Sequence, residues 1–232
     1  MYKHCFEYRL YWTEKITAAL QKGNPDSMKM KMLCILIGYL CGGFLTADVV
    51  ARRKTGKSVF EMGTKNPGTA NITNSLGVKC GAVTLLGDVG KTVLACVLCQ
   101  HVLFPSLGKM AALYAGVGAA LGHGFPFWHK FRGGRSVAVT CSYIIFFLPL
   151  WGIVVNLAGL VIRIATKYPA SGALAIPSLF ILPVFLTAGT EAGFVMVAGT
   201  AVTFILHRDS LFRMAHGTEP KSNLIEEWKQ KL

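Results

Sequence analysis

The chain has 232 residues and a mass of 25.1 kDa; 53% of its residues are hydrophobic and only 15% are charged. Because soluble domains carry about 25% charged residues, this composition excludes an ordinary water-soluble globule. The charge is also one-sided, with 24 Lys and Arg against 11 Asp and Glu and a formal net charge of +13. A nucleic-acid-binding domain needs an exposed polar surface, and this chain has few charged residues from which to form one. We therefore expect a protein of the lipid bilayer with basic connectors and no nucleic-acid partner.

The first 31 residues differ in character from the rest of the chain. They mix Tyr, Trp, Lys and Glu, lack a long apolar run, and end in a turn-forming cluster at residues 23–27. We interpret residues 1–31 as an N-terminal extension; an alternative is that residues 6–20 form a short amphipathic helix on the membrane surface. The remainder divides into a membrane domain, residues 32–219, and a cytoplasmic tail, residues 220–232.

From Leu33 onward, apolar segments alternate with short polar connectors. This pattern predicts an all-α membrane protein, a bundle of about seven transmembrane helices with functional loops on the cytoplasmic side. A helix needs about 20 residues to cross the hydrocarbon and several segments are shorter, so an alternative is that the break at Pro149 is a kink within one span. The predicted spans are residues 33–51, 81–104, 110–125, 137–150, 151–166, 172–190 and 192–206.

The distribution of Lys and Arg predicts which side of the membrane each connector faces. With seven spans and an external N-terminus, sixteen Lys and Arg residues fall in cytoplasmic segments and one, Lys109, falls in the external loops. This asymmetry follows the positive-inside bias and places the polar loops at the cytoplasmic face of the cell membrane. The extension does not fit this pattern, because its six Lys and Arg residues would lie outside.

The first cytoplasmic loop contains a dense set of groups that could bind an anion. Glycines let backbone N–H groups approach an oxyanion closely, and hydroxyl, amide and ammonium side chains add donors. The segment therefore predicts a phosphate cradle, although a plain polar turn explains the composition equally well. The candidate ligands are Arg53, Thr64, Lys65, Asn66, Gly68 and Asn71.

The second cytoplasmic loop places glycines and a cation after a histidine. Gly133, Gly134 and Arg135 open an apolar helix, where N–H groups and a guanidinium can bind an anion. His123 closes the preceding span and is a candidate for the same site. The aromatic residues between these motifs suit the membrane interface, and for Trp128 we favour a place in an aromatic belt over a contact with substrate.

Ionisable residues within or beside the spans complete the candidate set. Asp88 and Lys91 are three residues apart and so share one helical face, and charges inside a membrane span usually face the bundle interior. A functional pair and a pair that merely orders the bundle are both compatible with the sequence. His207, Arg208 and Ser210 follow the final span.

The sequence predicts neither a metal site nor a cofactor. It contains no evident nucleophilic triad and no Walker-type loop. The pair Cys96 and Cys99 lies in a span without a second pair or a nearby histidine. What remains is a set of anion-binding loops at one face of an apolar bundle, which suits a reaction between phosphate-bearing and lipid-like partners.

Taken together, these loops resemble the bacterial acyl-phosphate-dependent glycerol-3-phosphate acyltransferases. The resemblance implies a seven-span enzyme that transfers a fatty acyl group from acyl phosphate to the 1-hydroxyl of glycerol 3-phosphate. The product is lysophosphatidic acid, a phospholipid precursor. The matching motifs are Gly42, Asn66-Pro67-Gly68-Thr69-Ala70-Asn71, Asp88 with Lys91, Gly122-His123-x-Phe125-Pro126, Phe131-x-Gly133-Gly134, and His207-Arg208 with Gly217-Thr218-Glu219.

The chain departs from the family pattern at several positions. Gly43 stands where the family usually has Ser, Phe60 where it has Arg, Thr64-Lys65 where it has Ser-Gly, Arg135 where it has Lys, and Ser210 where it has Asn. Two further hypotheses therefore stay open. One is the same fold with another acyl acceptor, and the other is a transporter or binding protein for anionic lipids or phosphates.

Acyl phosphate is already activated, so the expected task of the enzyme is to position two anions and balance their charge. We expect the first loop, with Asn66 essential, to hold one phosphate, and Gly133, Gly134 and Arg135 to hold the other. His123 or His207 would orient or deprotonate the attacking hydroxyl, unless the departing phosphate takes the proton itself.

Overall fold

Residues 25–222 are described by the structure, a computed structural model, and they contain helices and turns but no strand. The all-helical fold class is thereby confirmed. In this described part of the chain, the helices are separated by three 3₁₀ turns and one π-helical turn: Val59–Glu61, Pro105–Leu107, Phe127–His129 and Leu98–Leu103. The helices are α1 Pro25–Gly43, α2 Thr46–Thr55, α3 Thr69–Leu76, α4 Val78–Val97, α5 Lys109–Gly124, α6 Val137–Phe147, α7 Pro149–Thr166, α8 Pro169–Ala188, α9 Thr190–Leu206 and α10 Arg208–Ala215.

Apolar helices occur at all seven predicted places, as α1 and α4 to α9. Within residues 25–222, four helical stretches are long and apolar enough to cross a membrane: Asp26–Thr55, Val78–Leu103, Pro149–Thr166 and Pro169–Ala188. A fifth is added if α9 and α10, which meet at 64°, are counted as one broken span. With 16 and 11 residues, α5 and α6 are shorter. A bundle with several membrane spans is therefore supported, and the number seven stays a prediction.

The first apolar helix differs from the predicted span over residues 33–51. It begins at Pro25, where proline is tolerated at a first helical position and Asp26 suits the positive helix end. It ends at Gly43, and α2 begins three residues later. Residues 25–31 thus lie in the first turns of α1, whereas the amphipathic helix given as an alternative for residues 6–20 lies outside the described residues.

Glycines bring α1 and α5 into close contact. A Cβ atom on Gly38 or Gly42 would overlap the backbone of α5, and one on Gly118 or Gly122 would overlap the backbone of α1. Each helix thus contributes a Gly-x-x-x-Gly pair, the arrangement that allows helices to approach closely in lipid. This crossing places the C-terminal end of α1 beside that of α5, where the predicted site residues lie.

The main apolar core lies among α5, α6, α8 and α9. Its largest buried side chains are Leu113, Tyr143, Phe147, Phe180 and Met196, each at most 2% exposed. α6 ends at Phe147 and α7 begins at Pro149, and Val155 of α7 still belongs to this core. The predicted break at Pro149 is therefore a boundary between two helices.

Candidate active site

The site begins at the unwound segment between α1 and α2. Gly43 and Phe44 lie at the helix end, where backbone carbonyls lack intrahelical partners. The indole Nε1–H of Trp128 donates to the Gly43 oxygen over 3.0 Å, and Lys91 Nζ donates to the Phe44 oxygen over 2.7 Å. The break is thus held from two sides, by the second loop and by α4.

Lys91 joins three segments of the chain through one ammonium group. Besides the Phe44 carbonyl, its Nζ donates to Asp88 Oδ1 at 2.7 Å and to His123 Nδ1 at 2.9 Å. An ammonium has three donors, so none is left for a substrate, and Asp88 is only 2% exposed. This geometry favours an ordering role over direct phosphate binding for Asp88 and Lys91.

His123 is held in one tautomer by this arrangement. Because Nδ1 accepts from the Lys91 ammonium, the proton of the neutral ring lies on Nε2. Nε2 faces Gly134 so closely that a Cβ atom there would overlap it. The neutral ring has no free lone pair for a substrate proton, so His123 is placed to position neighbouring groups and not to act as a base.

The glycine pair of the second loop packs against both His123 and the first loop. The Gly134 N–H donates to the His123 carbonyl over 2.9 Å, and a Cβ on Gly133 would overlap the same carbonyl. A Cβ on Gly134 would also lie 3.0 Å from the Pro67 carbonyl oxygen. Glycine at these positions therefore lets the two predicted phosphate-binding turns lie side by side.

The first loop is fixed at its start by Asp48 on α2. One carboxylate oxygen, Oδ1, accepts from Ser58 Oγ at 2.6 Å and from the Val59 N–H at 2.9 Å. The other, Oδ2, accepts from Arg52 Nε at 2.7 Å. These bonds hold the chain as it leaves α2, a role for Asp48 that the sequence pattern does not predict. A carboxylate directly after an apolar run was the available signal.

Two asparagines of the first loop have different surroundings. The Asn71 side chain is 2% exposed and donates to the Met62 and Asn66 carbonyls at 3.1 and 3.0 Å. Its Oδ1 accepts from the Thr64 N–H at 2.9 Å and from Ser75 Oγ at 3.4 Å. Asn71 therefore folds the loop and keeps no donor for an anion. The Asn66 side-chain amide, by contrast, has no hydrogen-bond partner within residues 25–222.

The remaining predicted ligands of the first loop lie at its surface. Thr64 and Lys65 are exposed, and Lys65 adopts a left-handed backbone conformation with φ of 59°. Gly68 is the N-terminal cap of α3. Arg53 is exposed on α2.

A second polar cluster forms where α9 meets α10. His207 is 2% exposed, and its Nδ1–H donates to the Thr203 carbonyl over 2.9 Å. Burial lowers the pKa of His207, while the hydrogen bond to Thr203 opposes this shift. The ring is therefore neutral at neutral pH, with an unprotonated Nε2 that can accept a hydrogen bond. The nearby Arg135 charge also favours this neutral form.

Arg135 interacts electrostatically with the segment after α10. Burial lowers the pKa of its guanidinium and the charge of Glu219 opposes that shift. Glu219 is itself paired with Arg213, whose Nε lies 2.6 Å from its Oε2. Arg213 Nη2 donates to Ser210 Oγ at 3.1 Å, and Ser210 is fully buried. Ser210 thus supports Arg213, whereas Arg208 is exposed and pairs with its neighbour Asp209 at 3.6 Å.

Comparison with known proteins identifies relatives along most of the chain. The family model described as glycerol-3-phosphate acyltransferase matches residues 32–217. Glycerol-3-phosphate acyltransferase 1 of Lactobacillus johnsonii is 31% identical over 207 residues, which cover 87% of this chain and 97% of that protein. The glycerol-3-phosphate acyltransferase of Bacillus subtilis is 31% identical over 191 residues, covering 82% and 96% of the two chains.

Solved structures share the fold. The crystal structure of PlsY (YgiH), an integral membrane glycerol 3-phosphate acyltransferase, in its glycerol 3-phosphate form has a TM-score of 0.75 and 22% identity, covering 85% of this chain and 98% of that one. Its lysophosphatidic acid form has a TM-score of 0.72 at the same identity, covering 84% and 96%. The helices of this chain therefore have the arrangement of an integral membrane protein.

Proposed function

Because the chain belongs to the glycerol-3-phosphate acyltransferase family, we propose that it transfers a fatty acyl group from acyl phosphate to the 1-hydroxyl of glycerol 3-phosphate. The product is lysophosphatidic acid, as phospholipid biosynthesis requires. The acyltransferase activity follows from the family. The acyl phosphate donor, the cytoplasmic position of the site and the roles of individual residues are our proposals.

The observation that carries the proposal is the position of Gly134 between the His123 ring and the Pro67 carbonyl. It sets the glycine turn of the second loop against the glycine turn of the first. The Gly68 and Gly134 N–H groups are bonded within the turns themselves, so the donors suited to phosphate oxyanions are the Asn66 amide and the Lys65 ammonium of the first turn and the Arg135 guanidinium of the second. Two phosphate-bearing substrates held there would meet, and proximity of this kind lowers the barrier to their reaction.

The two loops differ in their surroundings, and on this difference we base the assignment of one substrate to each loop. The segment that leads into Gly133 carries the exposed aromatic residues Phe127 and Phe131, which suit the edge of the bilayer. We therefore assign the turn Gly133–Gly134–Arg135 to the phosphate of the lipid-like donor. The polar first loop, with Asn66, Lys65 and Gly68, is assigned to the water-soluble glycerol 3-phosphate.

The reaction needs no covalent intermediate on the enzyme. The 1-hydroxyl oxygen forms a bond to the acyl carbon, the bond from that carbon to the phosphate oxygen breaks, and the hydroxyl proton leaves with phosphate as the final acceptor. Arg135 and the backbone N–H of Gly133 would stabilise the charge on the departing phosphate, because the Gly134 N–H is already bonded to the His123 carbonyl. His207, with its free Nε2, is the ring suited to orient the hydroxyl, whereas His123 positions Gly134.

The test is an assay of purified protein in detergent with acyl phosphate, with and without glycerol 3-phosphate, measuring both lysophosphatidic acid and released phosphate. We expect both products only when glycerol 3-phosphate is present, and Asn66→Ala to lower the rate by about 10²-fold or more, as for a lost transition-state donor. Asn156→Ala, a change on α7 that removes an amide bonded to Gly152, is the matched control and should retain activity.

Each alternative outcome supports a different function for this protein. Phosphate release that requires another acceptor would support the same fold with a different acyl acceptor. Binding of acyl phosphate without any turnover would support the transporter or binding-protein hypothesis. Full activity of Asn66→Ala would contradict the assignment of the first loop.

A further inference from the structure

The segment between α5 and the glycine turn is an aromatic hairpin, residues 125–131, that is attached to the first loop and α1 at three points. Tyr39 Oη donates to the Phe125 carbonyl at 2.6 Å. Trp128 Nε1 donates to the Gly43 carbonyl at 3.0 Å. The ring of His129 lies 5.6 Å from that of Phe60. These contacts fix the hairpin although its tip is exposed.

The tip of the aromatic hairpin is in a strained backbone conformation. Lys130 and Phe131 have φ values of 54° and 58°, in the left-handed region that disfavours residues other than glycine. The Phe131 N–H donates to the Pro126 carbonyl and the Lys130 N–H to the Phe127 carbonyl, each over 3.0 Å. Such conformations persist where surrounding contacts over-determine them, so the anchors of the hairpin hold a shape that the sequence alone does not favour.

Trp128 fits its anchor because residue 43 is glycine. A Cβ atom on Gly43 would overlap the indole ring. Gly43 and Phe60 are two of the positions at which this chain departs from the family pattern, and both contact the aromatic hairpin. Each departure thus lies against one residue of the aromatic hairpin: Gly43 contacts Trp128, and Phe60 contacts His129.

We propose that Trp128 is a positioning residue for the donor phosphate, an inference that rests on the proposed function. The glycine turn is held at one end by the bond from Gly134 to the His123 carbonyl. Its other end continues directly from the aromatic hairpin, which the Trp128 bond to Gly43 secures. Without the indole, the strained tip relaxes and Gly133 and Arg135 no longer present a fixed turn to the donor phosphate.

The first loop does not depend on Trp128 in the same way. It has its own supports, since Asp48 binds Ser58 and Val59, and Asn71 binds the chain on both sides of Thr64. The acceptor phosphate, assigned to this loop, should therefore be bound normally when the indole is lost. A change in donor binding without a change in acceptor binding is the signature that separates positioning from general loss of structure.

The experiment measures KM for acyl phosphate and for glycerol 3-phosphate in Trp128→Phe and Trp128→Ala. Trp128→Phe removes the N–H donor, and Trp128→Ala removes the ring as well. We expect KM for acyl phosphate to rise about threefold and tenfold respectively, in line with loss of one hydrogen bond and then of its packing, while KM for glycerol 3-phosphate stays within about twofold. Trp151→Phe is the matched control, because Trp151 is 42% exposed and Trp128 43%, and it should change neither value.

A double-mutant cycle tests the coupling to residue 43. Gly43→Ala should raise KM for acyl phosphate by itself, because the new methyl group displaces the indole, and should add nothing in the Trp128→Ala background. Equal rises in both KM values, an unchanged donor KM, or additive effects of Gly43→Ala and Trp128→Ala would each overturn the proposal.

Binding of an unreactive acyl phosphonate, followed by thermal shift, keeps the test independent of turnover. Trp128→Ala should weaken this binding about tenfold while Trp151→Phe leaves it unchanged. If the wild-type protein binds the phosphonate but forms no lysophosphatidic acid, the proposed function fails, and the comparison of these two variants still decides the role of Trp128. Equal phosphonate binding by wild type and Trp128→Ala would overturn the positioning role of Trp128.

Discussion

At the residue scale, Lys91 is the side chain that joins Asp88, His123 and the Phe44 carbonyl in the interior of the molecule. Lys91→Met keeps a long apolar side chain but leaves Asp88, 2% exposed, without its cation, and leaves the Phe44 carbonyl and His123 Nδ1 without a donor. Removing one partner of a buried ion pair costs about 3–5 kcal/mol. We therefore expect a clearly lower unfolding temperature in detergent, measured by tryptophan fluorescence or differential scanning fluorimetry.

Two comparisons make this prediction specific. Asp88→Asn combined with Lys91→Met should recover part of the lost stability, because no buried charge then remains unpaired. Lys109→Met, at the exposed start of α5, should change stability by no more than about 0.5 kcal/mol. A Lys91→Met protein as stable as wild type would contradict the ordering role.

The same scale shows what a single sequence can establish about the site. The spacing of Asp88 and Lys91 predicts a shared helical face, because that depends only on the period of a helix. It does not predict that the ammonium reaches Phe44 and His123, because those partners arrive through the packing of three helices. Asn66 and Asn71 likewise look alike in sequence, and only the folded loop separates the free amide from the one that bonds the backbone.

At the element scale, the contact between α1 and α5 rests on the absence of side chains. A Cβ on Gly38 would overlap the Ala115 carbonyl, so Gly38→Ala forces the helices apart. Overpacking of this kind costs about 1–3 kcal/mol. Gly90→Ala on α4 is the matched control, since nothing lies within 4 Å of its Cβ position, and better helix propensity should stabilise it by up to about 1 kcal/mol. Opposite shifts in unfolding temperature are expected, and equal shifts would contradict the close crossing.

Elements differ in how far the sequence predicts them. Apolar helices occur at all seven predicted places, because a run of apolar residues suffices to indicate a helix in lipid. The sequence does not predict the break after Gly43, since Phe44 and Leu45 continue the apolar run. Hydrogen bonds from Trp128 and Lys91 hold that break, and both residues come from distant parts of the chain.

At the scale of the whole molecule, the distribution of charge and the order of the helices together predict on which side of the membrane each connector lies. Residues 89–190 contain no acidic residue, and their cations fall into the connectors that the positive-inside bias places in the cytoplasm, apart from Lys109 and the buried Lys91. If all seven apolar helices cross the membrane, successive connectors must alternate in side. This requirement includes the short helices α5 and α6, which length alone does not assign as spans.

Single cysteines introduced at exposed connector positions test this alternation, in a background whose seven native cysteines are replaced. We expect a membrane-impermeant maleimide to label Lys109→Cys and Thr190→Cys on intact cells. Lys57→Cys, Arg132→Cys and Lys167→Cys should react only after the cells are permeabilised, because their connectors carry the cations that stay inside. Labelling of Lys109→Cys and Arg132→Cys from the same side would mean that α5 does not cross.

Lys167→Cys and Thr190→Cys serve as the internal control, because α8 between them is long and apolar enough to span on its own. The same variants, assayed for acyl transfer, must remain active for their labelling to report the native topology.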